Sequence, residues 1–543
     1  MIWFITYLHF ARLRAFRISY ISLRDPHYFG IFSFISAMSP TTVVSSPGKV
    51  LVSGGYLVLD PKYSGTVVCT SSRFYTVIRE DSSCGPNTIR VRSPQFSDAT
   101  WEYSVSTAET PVKVEESPKN ASKNKFVYLA LQVTLVLVAE ISGITSMNTT
   151  LSKGLDIAIV GDNDFYSQRE KLASLRLPRT LDSLSQIVPF TPTGVPLYRV
   201  HKTGLGSSAA LITSLVSCLL IHFSSISTNS FSASASDGRL LAHNLAQYVH
   251  CYAQGKVGSG FDIAAAVFGS HIYTRFNPAV LNGLMSDKAV RSPLHPILSP
   301  SNKAWDYAVK PFKLPPLTRL MLADVDTGSD TPSLVGKVLK WRTENSEQAF
   351  ALWTDIDTLN TRLAETLVEL SKLYEKDRAS YTTAVKYIAS LQPIQRRSTQ
   401  SKFFQWSANP YQPEEEKPTI SKFFESHQIS QAIRTKMKRM GELSGVPIEP
   451  VEQTILLDSC VSLAGVIGGG VPGAGGYDAI WLLVCDPVDS SPDIPPVQRV
   501  EQVWSEYSEL SVSPLSAKES FSGGVRVEIM DGVIGLAEAT TLP

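Results

Sequence analysis

The stretch Lys202-Thr203-Gly204-Leu205-Gly206-Ser207-Ser208-Ala209-Ala210 has the residue types of an anion-binding turn. Holding a phosphate requires several backbone N–H groups converging on one point. A glycine-rich turn that feeds a helix N-terminus supplies them, together with the positive end of the helix dipole. Gly204 and Gly206 let the backbone approach a polyphosphate, Ser207 and Ser208 add hydroxyls that can also reach Mg²⁺, and Ala209 to Phe223 continues as an apolar helix. The segment has neither the GK[ST] ending of the Walker loop nor the GxGxxG spacing of a dinucleotide fold, which excludes both. An N-capped helix after a glycine turn would use the same residues, so the nonapeptide alone leaves a purely structural role open.

Two other glycine-rich constellations lie far from it in sequence: Ser46-Pro47-Gly48-Lys49-Val50-Leu51-Val52-Ser53-Gly54-Gly55-Tyr56 and Gly468-Gly469-Gly470-Val471-Pro472-Gly473-Ala474-Gly475-Gly476-Tyr477-Asp478. Lys49 is a point charge on a flexible stem, suited to bridging two phosphate-bearing groups. A third feature is Asp262, which starts a helix behind Gly258-Ser259-Gly260. A helix N-cap would explain that aspartate equally well.

The elements that must position these residues follow from hydrophobic spacing and turn residues. VVSSPGKVLVSGGYLVLD from Val43 reads as a strand, a tight turn at Pro47-Gly48 and a second strand, with further strands over Gly65 to Glu80 and Thr88 to Val91. Pro111 to Lys125 suits a surface loop, and the apolar run Val127 to Ala139, too short for a bilayer, suits a buried helix. Ser224 to Asp237 reads as a Ser-rich loop, Leu240 to Gln254 as a helix broken by Gly255 to Gly260, and Asp262 to Phe268 as another helix. Pro-rich segments before the apolar strand Leu320 to Val325 put a domain boundary at 316/317. Beyond it come helices over Ala349 to Tyr374, Tyr381 to Leu391 and Ile429 to Gly441, a connection over Arg396 to Thr419, a buried strand Ala479 to Cys485, and a Pro-rich turn over Asp486 to Val497.

At 543 residues the chain is too long for one core and points to two packed domains. With 43% hydrophobic residues, 18% charged residues and a net charge of +1, it reads as an ordinary globular protein with no implied nucleic-acid partner and no transmembrane segment. The 6 cysteines show no zinc spacing and suit reduced thiols in a cytoplasmic protein. Residues 1–37 are rich in aromatics and Ile, with four arginines against the single acid Asp25, which suits either a transit peptide or, by preference, an upstream extension ahead of a start at Met38.

The three glycine-rich motifs, in this order, resemble those of the GHMP kinases, over Val43 to roughly Leu536. Within that family SGGYLVLD (53–60), KTGLGSSAAL (202–211), QGKVGSGFDIAAAVFGS (254–270), the Thr327-Gly328-Ser329-Asp330-Thr331 turn and VPGAGGYDA (471–479) are most similar to the fungal type of phosphomevalonate kinase. The resemblance implies an α+β, two-domain GHMP kinase fold: an N-terminal ribosomal S5 domain 2-like domain over 38–316 and a C-terminal ferredoxin-like domain over 317–543, with the site between them. It implies transfer of the ATP γ-phosphoryl to (R)-5-phosphomevalonate, giving (R)-5-diphosphomevalonate and ADP on the route to isoprenoids and sterols. Mevalonate kinase, diphosphomevalonate decarboxylase and a non-catalytic nucleotide-binding relative are the competing readings.

Carried onto this sequence, the resemblance makes Lys49 and Asp262 catalytic and Lys202, Thr203, Gly204, Leu205, Gly206, Ser207, Ser208, Ala209 and Ala210 the ATP cradle. Ser208 becomes the Mg²⁺ ligand, and Lys49, Lys202, Ser259, Thr331, Gly475 and Asp478 become substrate contacts. Arg73, Arg275 and Lys256 are further cations flanking the motifs. One departure stands out. Many family members carry a glutamate on the helix before the catalytic aspartate, but Leu240 to Gln254 has no acid, so His250, Gln247 or Gln254 could contribute only indirectly.

Overall fold

The computed structural model describes residues 41–541 apart from 234, 286–289, 291–292, 326–330, 391–413 and 488–493. The expectations for residues 1–37, for the 327–330 part of the turn and for most of the 396–419 connection lie outside the described residues.

The β-branched residues after Thr41 form β1 (Thr42–Ser53), which pairs antiparallel along β2 (Ser64–Glu80). The expected tight turn at Pro47-Gly48 is absent: β1 is one strand, and the register shifts between Pro47 and Lys49 instead. A partner as long as β2 keeps pairing on both sides of the Pro-Gly pair, so the irregularity is absorbed as a bulge. It falls immediately before Lys49.

β3 (Thr88–Arg92), β4 (Thr100–Ser106), β5 (Lys113–Glu116) and β6 (Leu155–Gly161) extend this sheet in the order β1-β2-β6-β3-β4-β5. β7 (His271–Thr274) joins the first half of β2, β8 (Ala308–Pro311) joins β7, and the edge strand β13 (Arg526–Val527) returns from the C-terminus to pair with β1. β5 corrects the loop expected over 111–125. It forms because Gln132, buried in the following helix, accepts from Val114 N and donates to Val112 O, so strand and helix satisfy each other.

Packed with this sheet are α1 (Lys125–Ser142), α2 (Ser207–His222), α3 (Asp237–Gln254) and α4 (Phe261–Phe268). α1 is longer than the apolar run that announced it, long and apolar enough to cross a membrane by length and composition. Val127 and Leu129 to Val138 are all buried, which makes it a core helix. Each such Leu or Val contributes roughly 1.5–3 kcal/mol of burial.

The second sheet comprises β9 (Thr318–Val325), β10 (Val466–Gly470), β11 (Ala479–Cys485) and β12 (Val512–Leu515), all antiparallel, in the order β10-β11-β9-β12. Among the described residues five helices separate β9 from β10: α5 (Thr331–Glu344), α6 (Ser346–Lys376), α7 (Arg378–Ser390), α8 (Lys417–Ser444) and α9 (Val451–Val461). α10 (Pro496–Glu506) precedes β12. This is the strand order of a ferredoxin-like βαββαβ unit with an enlarged first crossover. α8 runs well beyond the expected Ile429–Gly441.

The two sheets are fastened close to the glycine-rich motifs. Asp324 of β9, fully buried, faces Arg169 at 3.2 Å and His201 at 3.3 Å. On the other flank Tyr56, Leu57 and Tyr63 pack against Val338, Trp341, Trp353 and Ile356, while Arg342 pairs with Asp60 and lies 3.9 Å over the Trp353 ring. The buried aromatics outweigh the part-exposed ion pair, whose class contributes only about 0–1 kcal/mol.

Candidate active site

α2 begins at Ser207 behind Gly206 (φ 77°), with Gly204 at φ 78°, a left-handed backbone that favours glycine. Gly206 supplies no side-chain cap, and at this end Ala210 N donates to Gly206 O. The N–H groups of the first turn therefore have no capping side chain to satisfy them, the arrangement an anion uses rather than an N-capped helix. The loop is pinned from behind: Thr203, 1% exposed, donates its hydroxyl to Asp164 O, and Lys202 bridges to Tyr166.

Lys49 enters from β1. Its backbone N–H donates to Leu205 O at 2.9 Å and its ammonium to Gly204 O at 2.9 Å, with Nζ 5.6 Å from the centre of the Phe261 ring. Burial draws the Lys49 ammonium below its ordinary value, while Asp262 and Asp478 pull it back up. Both carboxylates are thus electrostatic neighbours of this lysine.

Asp262 is the second residue of α4, whose N-cap is Gly260, so it is not the cap. One carboxylate oxygen accepts from Ile263 N at 3.0 Å, and the other lies 3.8 Å from His250 Nδ1. His250 Nε2 in turn lies 3.1 Å from Ser208 Oγ.

These groups line one cleft of about 500 Å³. Its first wall carries Lys49, the 204–208 loop and the 256–262 loop; the facing wall carries Pro472 to Gly475, Asp478 and the apolar side chains of Val335 and Leu339. The two walls touch where Tyr56, itself at φ 64°, donates its hydroxyl to Ala474 O at 2.6 Å. Lys202 and Lys256 are exposed and have no carboxylate partner among the described residues, and burial of its surroundings lowers the Lys202 ammonium from its ordinary value. With Lys49 this gives three cations against Asp262 and Asp478, a surplus suited to polyphosphate.

The structure thus brings together Lys49, Lys202, Gly204, Gly206, Ser207, Ser208, Ser259, Asp262, Gly475 and Asp478. Thr203, Leu205, Ala209 and Ala210 are buried behind the loop and hold its shape. α5 starts at Thr331, but its side chain lies outside the described residues.

Two flanking arginines are elsewhere. Arg73, 2% exposed, bonds Ser45 and Gly524 O and so fixes the sheet edge, because it pairs across from Pro47 under the returning C-terminus. Arg275 spends its guanidinium on backbone carbonyls: Leu59 O, Val257 O at 3.0 Å, and Gly258 O at 2.6 and 3.1 Å. Sequence reasoning also missed the hydroxyl link from Tyr56 and the apolar wall of α5, since nothing in a helical pattern says which pocket a helix overlooks.

No protein-family model matches the chain. It is 37% identical over 493 residues to the phosphomevalonate kinase of Aspergillus fumigatus, covering 82% of this chain and 88% of that protein. It is 36% identical over 499 residues to a peroxisomal phosphomevalonate kinase of Arabidopsis thaliana, covering 87% and 93%. The fold is similar to that of a Streptococcus pneumoniae phosphomevalonate kinase solved with phosphomevalonate and AMPPNP, at TM-score 0.50 and 14% identity, covering 88% of this chain and 99% of that one.

Proposed function

Since the chain belongs to the phosphomevalonate kinases, a branch of the GHMP kinases, we propose that its cleft transfers the ATP γ-phosphoryl to (R)-5-phosphomevalonate, giving (R)-5-diphosphomevalonate and ADP in the mevalonate pathway. The observation that carries the reading is the convergence of Lys49, the uncapped N-terminus of α2 and Asp262 on one cleft with surplus positive charge.

Phosphoryl transfer is mostly positioning and neutralisation of charge on the transferred group. The backbone of 204–208 cradles the nucleotide phosphates. Lys49, held against Gly204 O, bridges the acceptor and the transferred group. The acceptor is itself a phosphate, already ionised at neutral pH, so Asp262 has little need to remove a proton and serves chiefly to orient the acceptor and Lys49. Lys202, Ser259, Thr331, Gly475 and Asp478 complete the substrate contacts, and Lys256 adds a cation at the rim.

Mg²⁺ fits this donor set. Among the described residues no group of three or more His, Cys, Asp or Glu side chains could hold a metal, but Ser208 and Asp262 offer hard oxygen donors on either side of His250. A cation that keeps several waters and takes the rest of its shell from phosphates needs no more. Ser208 is the ligand we assign, and the ion's chemistry there is neutralisation of phosphate charge.

The division into 38–316 and 317–543 is supported by the two sheets, with β13 as a C-terminal strand lent back to the first. A cytoplasmic location is supported by six cysteines that are all free thiols.

The roles are tested by Asp262→Ala and Lys49→Met. Each is expected to lower turnover by about 10²-fold or more while ATP affinity changes only a few-fold. Unchanged turnover in both variants overturns the assignment.

A further inference from the structure

His250 sits where α3 passes between the starts of α2 and α4, 4% exposed, with its ring 6.3 Å from that of Phe126. Both ring nitrogens face groups to which the proposed function gives roles. Nε2 is 3.1 Å from Ser208 Oγ, and Nδ1 is 3.8 Å from Asp262 Oδ2. Gln254, one turn along α3, lies 3.0 Å from the same Nε2.

A serine hydroxyl has one proton and two lone pairs. It can present oxygen to a cation only if its proton is taken up in another direction, and the imidazole nitrogen beside Ser208 is an acceptor in that direction. The opposite nitrogen then carries the ring proton toward Asp262, whose other oxygen is already held by Ile263 N. One end of the imidazole therefore restrains the Ser208 oxygen, while the other lies 3.8 Å from the Asp262 carboxylate.

The geometry points to His250 as a positioning residue for Ser208: its Nε2 accepts the hydrogen bond of the Ser208 hydroxyl, so that the lone pairs of the serine oxygen are left to face the phosphate-binding space. This rests on the reading of Ser208 as the metal-binding serine. Groups that orient ligands in this way typically change metal affinity or activity 10–100-fold when removed.

Two readouts separate this role from packing. The first is Mn²⁺ binding to the enzyme with ADP, followed by the electron paramagnetic resonance of free Mn²⁺. The second is the split of kcat and KM in the steady state. His250→Phe is expected to weaken Mn²⁺ binding about 10-fold and lower kcat, leaving KM for the acceptor within twofold. His250→Gln, whose side-chain oxygen can still accept from Ser208, is expected to recover part of the Mn²⁺ affinity. If His250→Phe fails to melt cooperatively, His250→Gln against wild type decides, with a several-fold loss expected.

The Ser208→Ala/His250→Phe double variant is expected to bind Mn²⁺ no more weakly than Ser208→Ala alone, because both remove one linkage. Losses that multiply, or Mn²⁺ affinity within twofold of wild type in every folded His250 variant, overturn the inference. If Ser208→Ala itself leaves Mn²⁺ binding unchanged, the metal role of Ser208 fails and takes the inference with it. If Ser208→Ala weakens binding while the His250 variants do not, only the inference fails.

Discussion

The ammonium of Lys49 donates a 2.9 Å hydrogen bond to the carbonyl of Gly204, tying the register shift between β1 and β2 to the glycine turn ahead of α2. Two motifs about 150 residues apart in the chain thereby become one surface, with the lysine held against the loop that would carry the nucleotide. Its position makes both its charge and the space around it open to test.

Burial draws the Lys49 ammonium below its ordinary value of 10.5, and above its pKa the neutral amine no longer neutralises phosphate. Turnover is therefore expected to fall on the alkaline side at a pH below 10.5. In Lys49→Arg the guanidinium stays charged throughout, so the rate is expected to drop about 10–100-fold in the plateau but to lose that alkaline limb. A pH–rate profile of both enzymes checks this; an identical limb in the variant assigns it to another group.

Gly206 and Gly204 share a left-handed backbone but differ in surroundings. A Cβ on Gly206 would lie 2.8 Å from Lys49 Cε, whereas one on Gly204 meets nothing within 4 Å. Both alanine variants carry conformational strain of roughly 1–2 kcal/mol, but only Gly206→Ala displaces the lysine. Its kcat/KM is expected to fall about tenfold further than that of Gly204→Ala, with similar melting temperatures for the two.

How much of this was readable in sequence depended on whether the signal was local. The glycine turns and Lys49 could be named because glycine and lysine at those spacings have a chemical reason to be there, whereas Ser208 and Asp262 were singled out by the resemblance to the GHMP kinases. The Pro47-Gly48 turn was misread because the pairing that overrides it comes from β2, a partner that propensity cannot identify. Arg73 failed as a candidate for the same reason: its true neighbours, Gly524 and Glu528, arrive from the far end of the chain. The roles of His250 and Tyr56 required knowing which helix starts converge.

Arg275 holds the carbonyls of Leu59, Val257 and Gly258, so it shapes the 257–260 loop that leads into Asp262. Arg275→Ala is expected to raise KM for the acceptor about tenfold and to cost about 1–3 kcal/mol of stability through the unpaired carbonyls. Arg275→Lys is expected to recover little of either, since a single ammonium cannot span three acceptors. Steady-state kinetics and denaturant melts measure both.

Away from the cleft, burial pushes the Asp162 carboxyl up to about 7 from an ordinary 3.8. A carboxyl raised on folding contributes its stability below the unfolded value and loses it as pH rises through the folded one. Relative stability therefore declines between about 3.8 and about 7. Asp162→Asn is expected to be more stable than wild type at pH 8, on the order of 1 kcal/mol, with the gap closing toward pH 4. Melts across that range test the sign.

The acceptor is identified by presenting the purified protein with ATP and, separately, mevalonate, 5-phosphomevalonate and 5-diphosphomevalonate, and following ADP release and the ³¹P spectrum of the products. 5-Phosphomevalonate alone is expected to be turned over efficiently and to yield a diphosphate resonance. Turnover of mevalonate without turnover of 5-phosphomevalonate would contradict the proposed function.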